Sequence, residues 1–314
     1  MSSRITSMEN VLDLFCGAGG LSHGFEQAGY RVLAGVDVWD DALETYRLNH
    51  PSVGLEVDMH TVEPSELPLS KEQVDVVIGG PPCKGFSLAG ERDSDDERNQ
   101  LVARFLDYVE YFEPATVVME NVVGILSMDL PGYDGSVPDY IHDRLRSMGF
   151  ETDHQTLDAT NYGIAQTRRR VFFVGTRGRF PSYPKPTTAD VTMPVAGVLE
   201  YDFTGFPNHT YTNHQQSTID KMAALDYEES VYDTYQEAWK RLHPLKPAPT
   251  IKENHNAPFV HYSEDRVGTP RECTAIQTFP NNYEFRGTKS SVLKQIGNAV
   301  PPELARHVAK ALSE

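Results

Sequence analysis

The first 180 residues alternate short apolar runs with helical patterns, and this alternation restricts the fold more than any other feature. The apolar runs predicted as strands cover residues 11–15, 31–36, 54–57, 74–78, 115–119 and 171–175. The predicted helices cover residues 21–28, 41–49, 100–112 and 140–148. Strands that alternate with helices form a sheet wound with helices on both faces. The pattern therefore predicts an α/β fold with a wound, mostly parallel sheet.

The sequence pattern changes after residue 180. Prolines, scattered aromatic residues and histidines replace the alternation of strands and helices. Helical patterning returns near the C-terminus, around two prolines in sequence. We therefore expect one large domain from residues 1–180 plus 287–314, and a smaller, irregular domain from residues 181–286.

The composition favours a soluble, intracellular protein, and we expect it in the cytoplasm. Hydrophobic residues make up 39% of the chain, yet no apolar run approaches the ~20 residues of a membrane helix. The start of the chain lacks the layout of a signal peptide. The three cysteines are widely spaced and include no C-x-x-C pair, which argues against disulfides and structural zinc. The histidines at 209, 214, 243, 255 and 261 are interpreted as loop and surface residues, so no metal site is predicted.

The net charge is unusual for a protein that binds nucleic acid. Lys and Arg total 28 against 45 Asp and Glu, which gives −17. Proteins that bind the phosphates of nucleic acids are usually basic, because their Lys and Arg side chains displace the counterions around the phosphates. Two interpretations remain open: positive charge concentrated on one face, or adaptation to concentrated salt, where screening shortens the reach of all charges.

A glycine-rich loop follows the first predicted strand. Residues 16–20 read Cys-Gly-Ala-Gly-Gly, and a helix is predicted directly after them. Such a loop presents backbone N–H groups to a ligand at a helix N-terminus. Asp37 ends the next strand, about 20 residues on, where an acid can accept hydrogen bonds from ribose. The layout suits a cofactor that carries adenosine, although a glycine turn needed only for packing would look the same.

Two further strand ends carry reactive groups. Residues 79–83 read Gly-Gly-Pro-Pro-Cys, so Cys83 lies where ligands of wound sheets bind. A thiol presented in this way can act as a nucleophile, although most free cysteines are small buried residues. Glu120 ends the adjacent predicted strand and can serve there as an acid or base, or as a capping or surface acid.

The most basic stretch of the chain begins at residue 166. Residues 166–180 contain five arginines and no acid. Because side chains alternate along a strand, Arg168 and Arg170 are predicted to project together, with Arg169 on the other face. Two guanidinium groups on one face can bind a phosphate or polarise a carbonyl. A solvated basic edge is the alternative.

Taken together, these motifs closely resemble the cytosine-5 DNA methyltransferases. The resemblance covers nearly the whole chain, apart from about 85 residues after Phe180. It rests on an ordered series at residues 13–20, 80–83, 120–122, 166–170, 271–273 and 295–301. It departs from the family at Lys84, where many relatives have glutamine, and in an acidic loop segment at residues 91–97. These departures bear on DNA affinity at low salt and leave the chemistry intact.

The resemblance implies a role for each candidate residue. Cys83 would attack carbon 6 of cytosine, Glu120 would contact N3 and the exocyclic amine, and Arg168 and Arg170 would steady the nucleophile and the O2 carbonyl. The cofactor would be S-adenosylmethionine. The residues implied at its site are Phe15, Gly17, Gly19, Asp37, Val38, Asp58, Met59, Pro82 and Asn298.

The resemblance also implies partners. The substrate would be double-stranded DNA with the target base flipped out, the loop 84–99 would close over that base, and residues 181–286 would read the target sequence. A cognate restriction endonuclease is expected as a companion, and the protein is expected to be a monomer. The alternatives are an RNA cytosine-5 methyltransferase of the transfer-RNA type, an amino-methyltransferase, a catalytically silent binding module and, least favoured, a nicotinamide dehydrogenase.

Overall fold

The computed structural model describes residues 8–82, 100–130, 133–188, 191–233, 238–253 and 259–313. Within these ranges the strands are β1 (Asn10–Leu14), β2 (Arg31–Asp37), β3 (Val53–Glu56), β4 (Val76–Gly79), β5 (Thr116–Val122), β6 (Glu151–Asp158), β7 (Arg169–Thr176), β8 (Lys240–Arg241) and β9 (Phe259–Val260). The α-helices are α1 (Gly20–Gln27), α2 (Asp40–Asn49), α3 (Gln100–Phe112), α4 (Val137–Ser147), α5 (Ala196–Leu199), α6 (Gln216–Ala223), α7 (Pro270–Ile276), α8 (Lys289–Asn298) and α9 (Pro302–Leu312). Short 3-10 helices cover Pro64–Glu66, Lys71–Gln73, Val123–Ser127 and Ala159–Tyr162.

Seven of these strands form one sheet in the order β3-β2-β1-β4-β5-β7-β6. The first five pair in parallel, whereas β7 runs antiparallel to both β5 and β6. The predicted wound, mostly parallel sheet is therefore confirmed. The chain winds outward in opposite directions from β1 and from β4. Ligands of such sheets bind at this reversal point, beyond the carboxyl ends of the strands.

Both faces of the sheet are covered, which explains the continuous apolar runs of the central strands. On one face, Leu12 and Leu14 pack with Phe105 of α3 and Ile141 of α4. On the opposite face, Val11 packs with residues of α1 and α9. Adjacent residues of β1 thus serve different cores, as the alternation of side chains along a strand requires. Across the described ranges, no helix is long and apolar enough to cross a membrane.

Strand β6 was not predicted from the sequence. Its eight residues read ETDHQTLD and contain a single large aliphatic side chain, Leu157. The strand lies at the edge of the sheet and pairs only with β7 among the described strands. An edge strand needs less apolar surface than a central one, so its polar sequence gave no strand signal.

The region after residue 180 contains short elements and its own core cluster. Leu242, Phe259 and Cys273 pack there against Ile296 of α8. This cluster therefore includes residues from both sides of position 286. The division into residues 1–180 plus 287–314 and residues 181–286 stays a prediction.

Candidate active site

A cavity of about 720 Å³ opens at the carboxyl ends of the parallel strands. Most of the residues that the sequence placed at a cofactor or at the reacting base line this cavity. They are Phe15, Gly17, Asp37, Val38, Asp58, Met59, Pro82, Glu120, Arg170 and Asn298. Residues from the carboxyl ends of five parallel strands, from the start of β7 and from α8 thus meet around a single space. Its volume lies within the range typical of small-molecule sites.

The glycine loop forms the floor of the cavity next to α1. Gly17 has a φ of 52° and Gly19 a φ of 87°, which are left-handed values that favour glycine. Phe15 adopts a φ of 58° without being glycine. Such strained residues cluster at ligand sites and persist where the surrounding structure holds them. The loop is therefore shaped by its backbone rather than by its side chains.

Asp37 holds this loop in place. Its Oδ2 accepts a hydrogen bond from Gly17 N at 2.8 Å, and its Oδ1 accepts from Val38 N at 2.8 Å and Trp39 N at 2.9 Å. Burial raises the pKa of this carboxyl. A carboxylate offers about four acceptor positions, so three backbone bonds leave about one position for a ligand in the cavity.

Asp13 lies directly beneath the loop and is fully buried. Its Oδ2 accepts a hydrogen bond from Ser22 Oγ at 2.6 Å. Ser22 Oγ also lies 3.0 Å from the Tyr46 hydroxyl. Burial raises the pKa of Asp13 to about 7. The sequence showed this acid as part of a motif, but its burial and its raised pKa depend on tertiary packing.

The wall beyond Asp37 is formed by residues that follow β2 and β3. Asp58 Oδ1 accepts a hydrogen bond from His60 N at 3.0 Å, and the Met59 side chain is almost fully buried. Val38, in contrast, is 62% exposed at the rim. Trp39 and Lys294 also line the cavity, and Lys294 Nζ lies 4.9 Å from the centre of the Trp39 ring.

Trp39 and Lys294 were not predicted as site residues. Trp39 could have been found, since a large aromatic residue two positions after the acid of β2 faces the same strand end. Lys294 reaches the cavity from α8, more than 250 residues along the chain, and no local pattern marks it.

The opposite end of the cavity contains an ion pair. Arg170 Nε lies 2.9 Å from Glu120 Oε1, and Glu120 is only 7% exposed. Burial raises the pKa of Glu120, while the charges of Arg170 and Arg168 act in the opposite direction. The result is an acid that stays protonated to a higher pH than a free glutamic acid, next to a fixed cation.

The turn after β4 packs against this acid. Asn121 Nδ2 donates a hydrogen bond to Pro81 O at 3.0 Å, and a Cβ on Gly80 would lie 3.2 Å from Glu120 Oε2. The register of β4 and β5 accounts for this contact, because Gly79 pairs with Met119. Cys83 and the predicted loop 84–99 lie outside the described residues. The described chain before Cys83 ends at Pro82, which lines the cavity.

Arg168 and Arg170 occupy different environments. Arg168 is fully buried and donates hydrogen bonds to the carbonyls of Ile251 at 2.8 Å, Gly297 at 2.8 Å and Ala299 at 2.9 Å. Burial and the charge of Arg170 lower its pKa. Arg169, which was predicted to point away from these two arginines, is exposed. Arg168 thus holds the backbone on both sides of Asn298, whereas Arg170 lines the cavity itself.

Gly19 also differs from its neighbours in the loop. It faces away from the cavity floor, toward a pair of aromatic side chains. A Cβ at this position would lie 2.2 Å from His50 Nε2 and 2.9 Å from the Tyr283 hydroxyl. Gly19 therefore permits close packing behind the loop.

Comparison with known proteins identifies the family. The family model for C-5 cytosine-specific DNA methylases matches residues 9–314. This chain is a member of that family. It is therefore a DNA (cytosine-5-)-methyltransferase, as the sequence resemblance predicted.

Curated relatives match over almost the full chain. The type II methyltransferase M.DdeI of Desulfomicrobium norvegicum is 33% identical, over 97% of this chain and 88% of its own length. The type II methyltransferase M.HgiDI of Herpetosiphon aurantiacus is 31% identical, over 96% and 93% of the respective chains.

A solved structure supports the fold. A proposed DNA modification methyltransferase encoded within an E. coli prophage superimposes with a TM-score of 0.76 at 24% identity, over 97% of this chain and 98% of that chain.

Proposed function

We propose that this methyltransferase binds S-adenosylmethionine at the Asp37 end of the cavity and methylates a cytosine held at the Glu120–Arg170 end, with Cys83 as the covalent nucleophile. The observation that carries the proposal is that one cavity is lined by both groups of residues. Methyl transfer requires the acceptor carbon to lie close to the methyl group and in line with the bond between the methyl carbon and sulfur. A shared cavity satisfies this requirement without a large rearrangement.

The residues at the Asp37 end fit the proposed cofactor. Gly17 and Phe15 bring backbone close to the cavity, and the Asp37 carboxylate retains about one free acceptor position for a ribose hydroxyl. Trp39 and Met59 add apolar surface beside it. Asp58 reaches the adenine edge in this proposal, and Pro82 and Asn298 border the methionine end. When bound, the cofactor supplies an electrophilic methyl group on a sulfonium sulfur.

The proposed reaction begins with Cys83. Its thiolate forms a bond to carbon 6 of cytosine, and the displaced electron pair makes carbon 5 nucleophilic. Glu120 donates a hydrogen bond to N3, which helps the ring accept electrons, and Arg170 faces the O2 carbonyl. Carbon 5 would then take the methyl group as the methyl–sulfur bond of the cofactor breaks and S-adenosylhomocysteine remains as the leaving group. A base would remove the proton from carbon 5, and the Cys83 thiolate would leave as the double bond re-forms. The raised pKa of Glu120 favours the protonated form that this role as a donor needs.

The target base must leave its duplex to reach this cavity, because a stacked and paired cytosine cannot enter a site lined by buried side chains. In our proposal, residues 181–286 read the target sequence and the loop 84–99 closes over the base. Exposed tyrosines at positions 201, 211, 227 and 232 offer contact surface in the first of these regions. A companion restriction endonuclease, a cytoplasmic location and a monomeric state belong to the same proposal.

The decisive variant is Cys83→Ser. We expect methyl transfer to duplex DNA to fall to background, while S-adenosylmethionine still binds in a calorimetric titration. Cys273→Ala is the matched control, since Cys273 is fully buried in the core around α7 and α8 and should leave methyl transfer intact. A denaturant-stable adduct with DNA that contains 5-fluorocytosine should form in the wild type and in the control only. Normal turnover by Cys83→Ser would exclude the mechanism.

Whether the substrate is DNA or RNA can be tested directly. Methyl transfer to duplex DNA should exceed transfer to total transfer RNA, and the reverse result would favour an RNA substrate. Bisulfite sequencing of plasmid from cells that express the chain should then show one methylated sequence context. The same assay over a salt series tests the salt-adapted interpretation of the −17 charge, which predicts maximal activity well above low ionic strength.

A further inference from the structure

Three side chains that the proposed reaction does not use meet behind the glycine loop. His23 and Glu26 lie one turn apart on α1, and His50 follows the last residue of α2. One ligand atom from each side chain lies within 4.8 Å of the other two. We call these residues the His23–Glu26–His50 cluster.

The hydrogen bonds of His50 leave two acceptors face to face. The Tyr283 hydroxyl donates its only proton to Ala18 O, so it must accept from His50 Nε2, which lies 2.8 Å away. The proton of a neutral His50 is therefore on Nε2. Its Nδ1 then presents a lone pair to Glu26 Oε2 at 2.9 Å. Two lone pairs at this distance require a cation between them, either a proton or a metal ion.

Two further polar atoms of the cluster are buried and free to bind an ion. Within the described residues, His23 Nδ1 and Glu26 Oε1 are buried atoms that have no hydrogen-bond partner. A buried polar atom without a partner costs free energy. The His50 side chain is itself fully shielded from solvent, and that of Glu26 is 21% exposed.

We propose that His23, Glu26 and His50 form a binding site for a transition-metal ion of the Zn²⁺ class. Two imidazoles and one carboxylate are a common protein ligand set for Zn²⁺, with water completing the tetrahedron. The ion replaces the proton between His50 Nδ1 and Glu26 Oε2, and it satisfies the enclosed atoms of His23 and Glu26. This assignment departs from the sequence prediction that the chain has no metal site.

The surroundings of the cluster fit the proposal. Histidines that bind metals usually donate their other N–H to a fixed acceptor, and His50 Nε2 has such an acceptor in the Tyr283 hydroxyl. His23 Nε2 lies 3.1 Å from the Gln27 amide nitrogen. When Nδ1 of His23 binds the metal ion, its Nε2 carries the proton and becomes a donor. Rotating the Gln27 side-chain amide by 180° then places the amide oxygen where it can accept this hydrogen bond. No backbone movement is needed.

The site has a structural consequence for the cofactor loop. His50 packs against Gly19, where a Cβ would lie 2.2 Å from Nε2, and Tyr283 contacts Ala18. An ion at the cluster therefore fixes α1, residue 50 and the loop relative to one another. Since the ion binds the folded state, it should raise the melting temperature in a concentration-dependent way. This outcome does not depend on the proposed mechanism of methyl transfer.

The experiment uses the full chain without a purification tag, stripped with EDTA and dialysed. Co²⁺ is the probe, because tetrahedral Co²⁺ absorbs visible light strongly. We expect one equivalent to bind and one equivalent of Zn²⁺ to displace it. Glu26→Gln and His23→Gln should each weaken Co²⁺ binding by at least ~10-fold, since even residues outside the ligand shell change affinity by this much. His154→Gln is the control, because it alters a second histidine pair, in which His142 Nε2 lies 2.8 Å from His154 Nδ1.

Several results would overturn the proposal. They are sub-stoichiometric Co²⁺ binding, unchanged binding in both cluster variants, or loss of binding in His154→Gln. A wild type that binds no Co²⁺ would mean that a proton alone lies between His50 and Glu26. Circular dichroism verifies that each variant is folded. Should the variants unfold, X-ray absorption of the Zn²⁺-loaded wild type decides: two imidazoles with oxygen ligands support the site, and any other ligand set excludes it.

Discussion

The two ends of the cavity use buried charge in different ways. At the cofactor end, Asp37 accepts three backbone N–H groups and Asp13 accepts a serine hydroxyl. At the base end, Glu120 pairs with the Arg170 guanidinium, whose side chain also lines the cavity. The acids at the first end mainly hold the loop in its conformation. The acid at the second end keeps most of its hydrogen-bonding capacity for a ligand.

This difference predicts which variants impair folding and which impair chemistry. A carboxyl that satisfies backbone groups contributes to stability, and its loss leaves buried donors without acceptors. A carboxyl that faces a ligand contributes little to stability, because its burial is a cost that only the reaction offsets. Four predictions, ordered from the largest expected effect to the smallest, test this contrast.

Glu120→Gln should reduce kcat by about 10²–10⁴-fold, which is the usual contribution of a positioned acid or base. The amide keeps the shape of the side chain and can still donate an N–H to N3, but it is a much weaker acid than the carboxyl group and cannot pass a proton to N3 as the ring accepts electrons. Binding of S-adenosylmethionine should change by less than about twofold, because Glu120 lies at the other end of the cavity. Single-turnover methylation and calorimetry measure the two quantities. Glu113→Gln is the control, since Glu113 is exposed on the surface.

The pH profile of the same variant sharpens the test. Burial raises the pKa of Glu120, so the protonated form persists above the normal range of glutamic acid and is lost as the pH rises through the raised pKa. Wild-type activity should therefore have an alkaline limb that Glu120→Gln lacks. An unchanged alkaline limb in the variant would assign the titration to another group.

Asp13→Asn should change how stability depends on pH. In the folded protein its pKa is raised from 3.8 to about 7, so the folded state binds the proton more tightly than the unfolded state. The favourable contribution is complete below about pH 4 and is lost as the pH rises to about 7. By linkage the loss is on the order of 4 kcal/mol. Urea unfolding at pH 5 and pH 8 should differ more in the wild type than in Asp13→Asn. An equal difference in both proteins would contradict this prediction.

Arg168→Met should destabilise the fold by about 3 kcal/mol, because three carbonyls lose a buried donor. Arg169→Met removes the same charge from an exposed neighbour and should leave stability nearly unchanged. S-adenosylmethionine should also bind more weakly to Arg168→Met, since Arg168 holds the residues on both sides of Asn298. If kcat alone falls while stability and cofactor affinity stay normal, Arg168 acts on the base, as the sequence resemblance implied.

The sequence was sufficient to predict most of the sheet and many of the residues that line the cavity. Central strands carry apolar runs, and reactive residues lie at the carboxyl ends of β1, β2, β4 and β5. Local sequence patterns therefore indicated both the strands and these residues. The wound topology then required these strand ends to meet. Glu120 could be placed beside the turn at Pro81 for this reason alone, before any contact was known.

Local patterns could not reveal features that depend on distant packing. Strand β6 is polar because it lies at an edge, and Lys294 reaches the cavity from α8. The same limit applies to Arg168, which was predicted to project together with Arg170 but whose three carbonyl acceptors come from residues more than 80 positions away. The His23–Glu26–His50 cluster likewise forms only when α1 packs against the end of α2.

Asp37→Asn should have the smallest of the four effects, about a tenfold loss of S-adenosylmethionine affinity, or ~1.4 kcal/mol. An amide keeps one acceptor oxygen but turns an NH₂ group toward a backbone N–H, so either Gly17 or the pair Val38 and Trp39 loses its partner. The loop then relaxes, and the ribose loses a carboxylate acceptor. Asp40→Asn makes the same charge change at an exposed position. Calorimetry on both variants separates the two contributions: equal losses would mean that charge near the cavity matters, whereas a loss confined to Asp37→Asn would mean that the conformation of the loop sets the affinity.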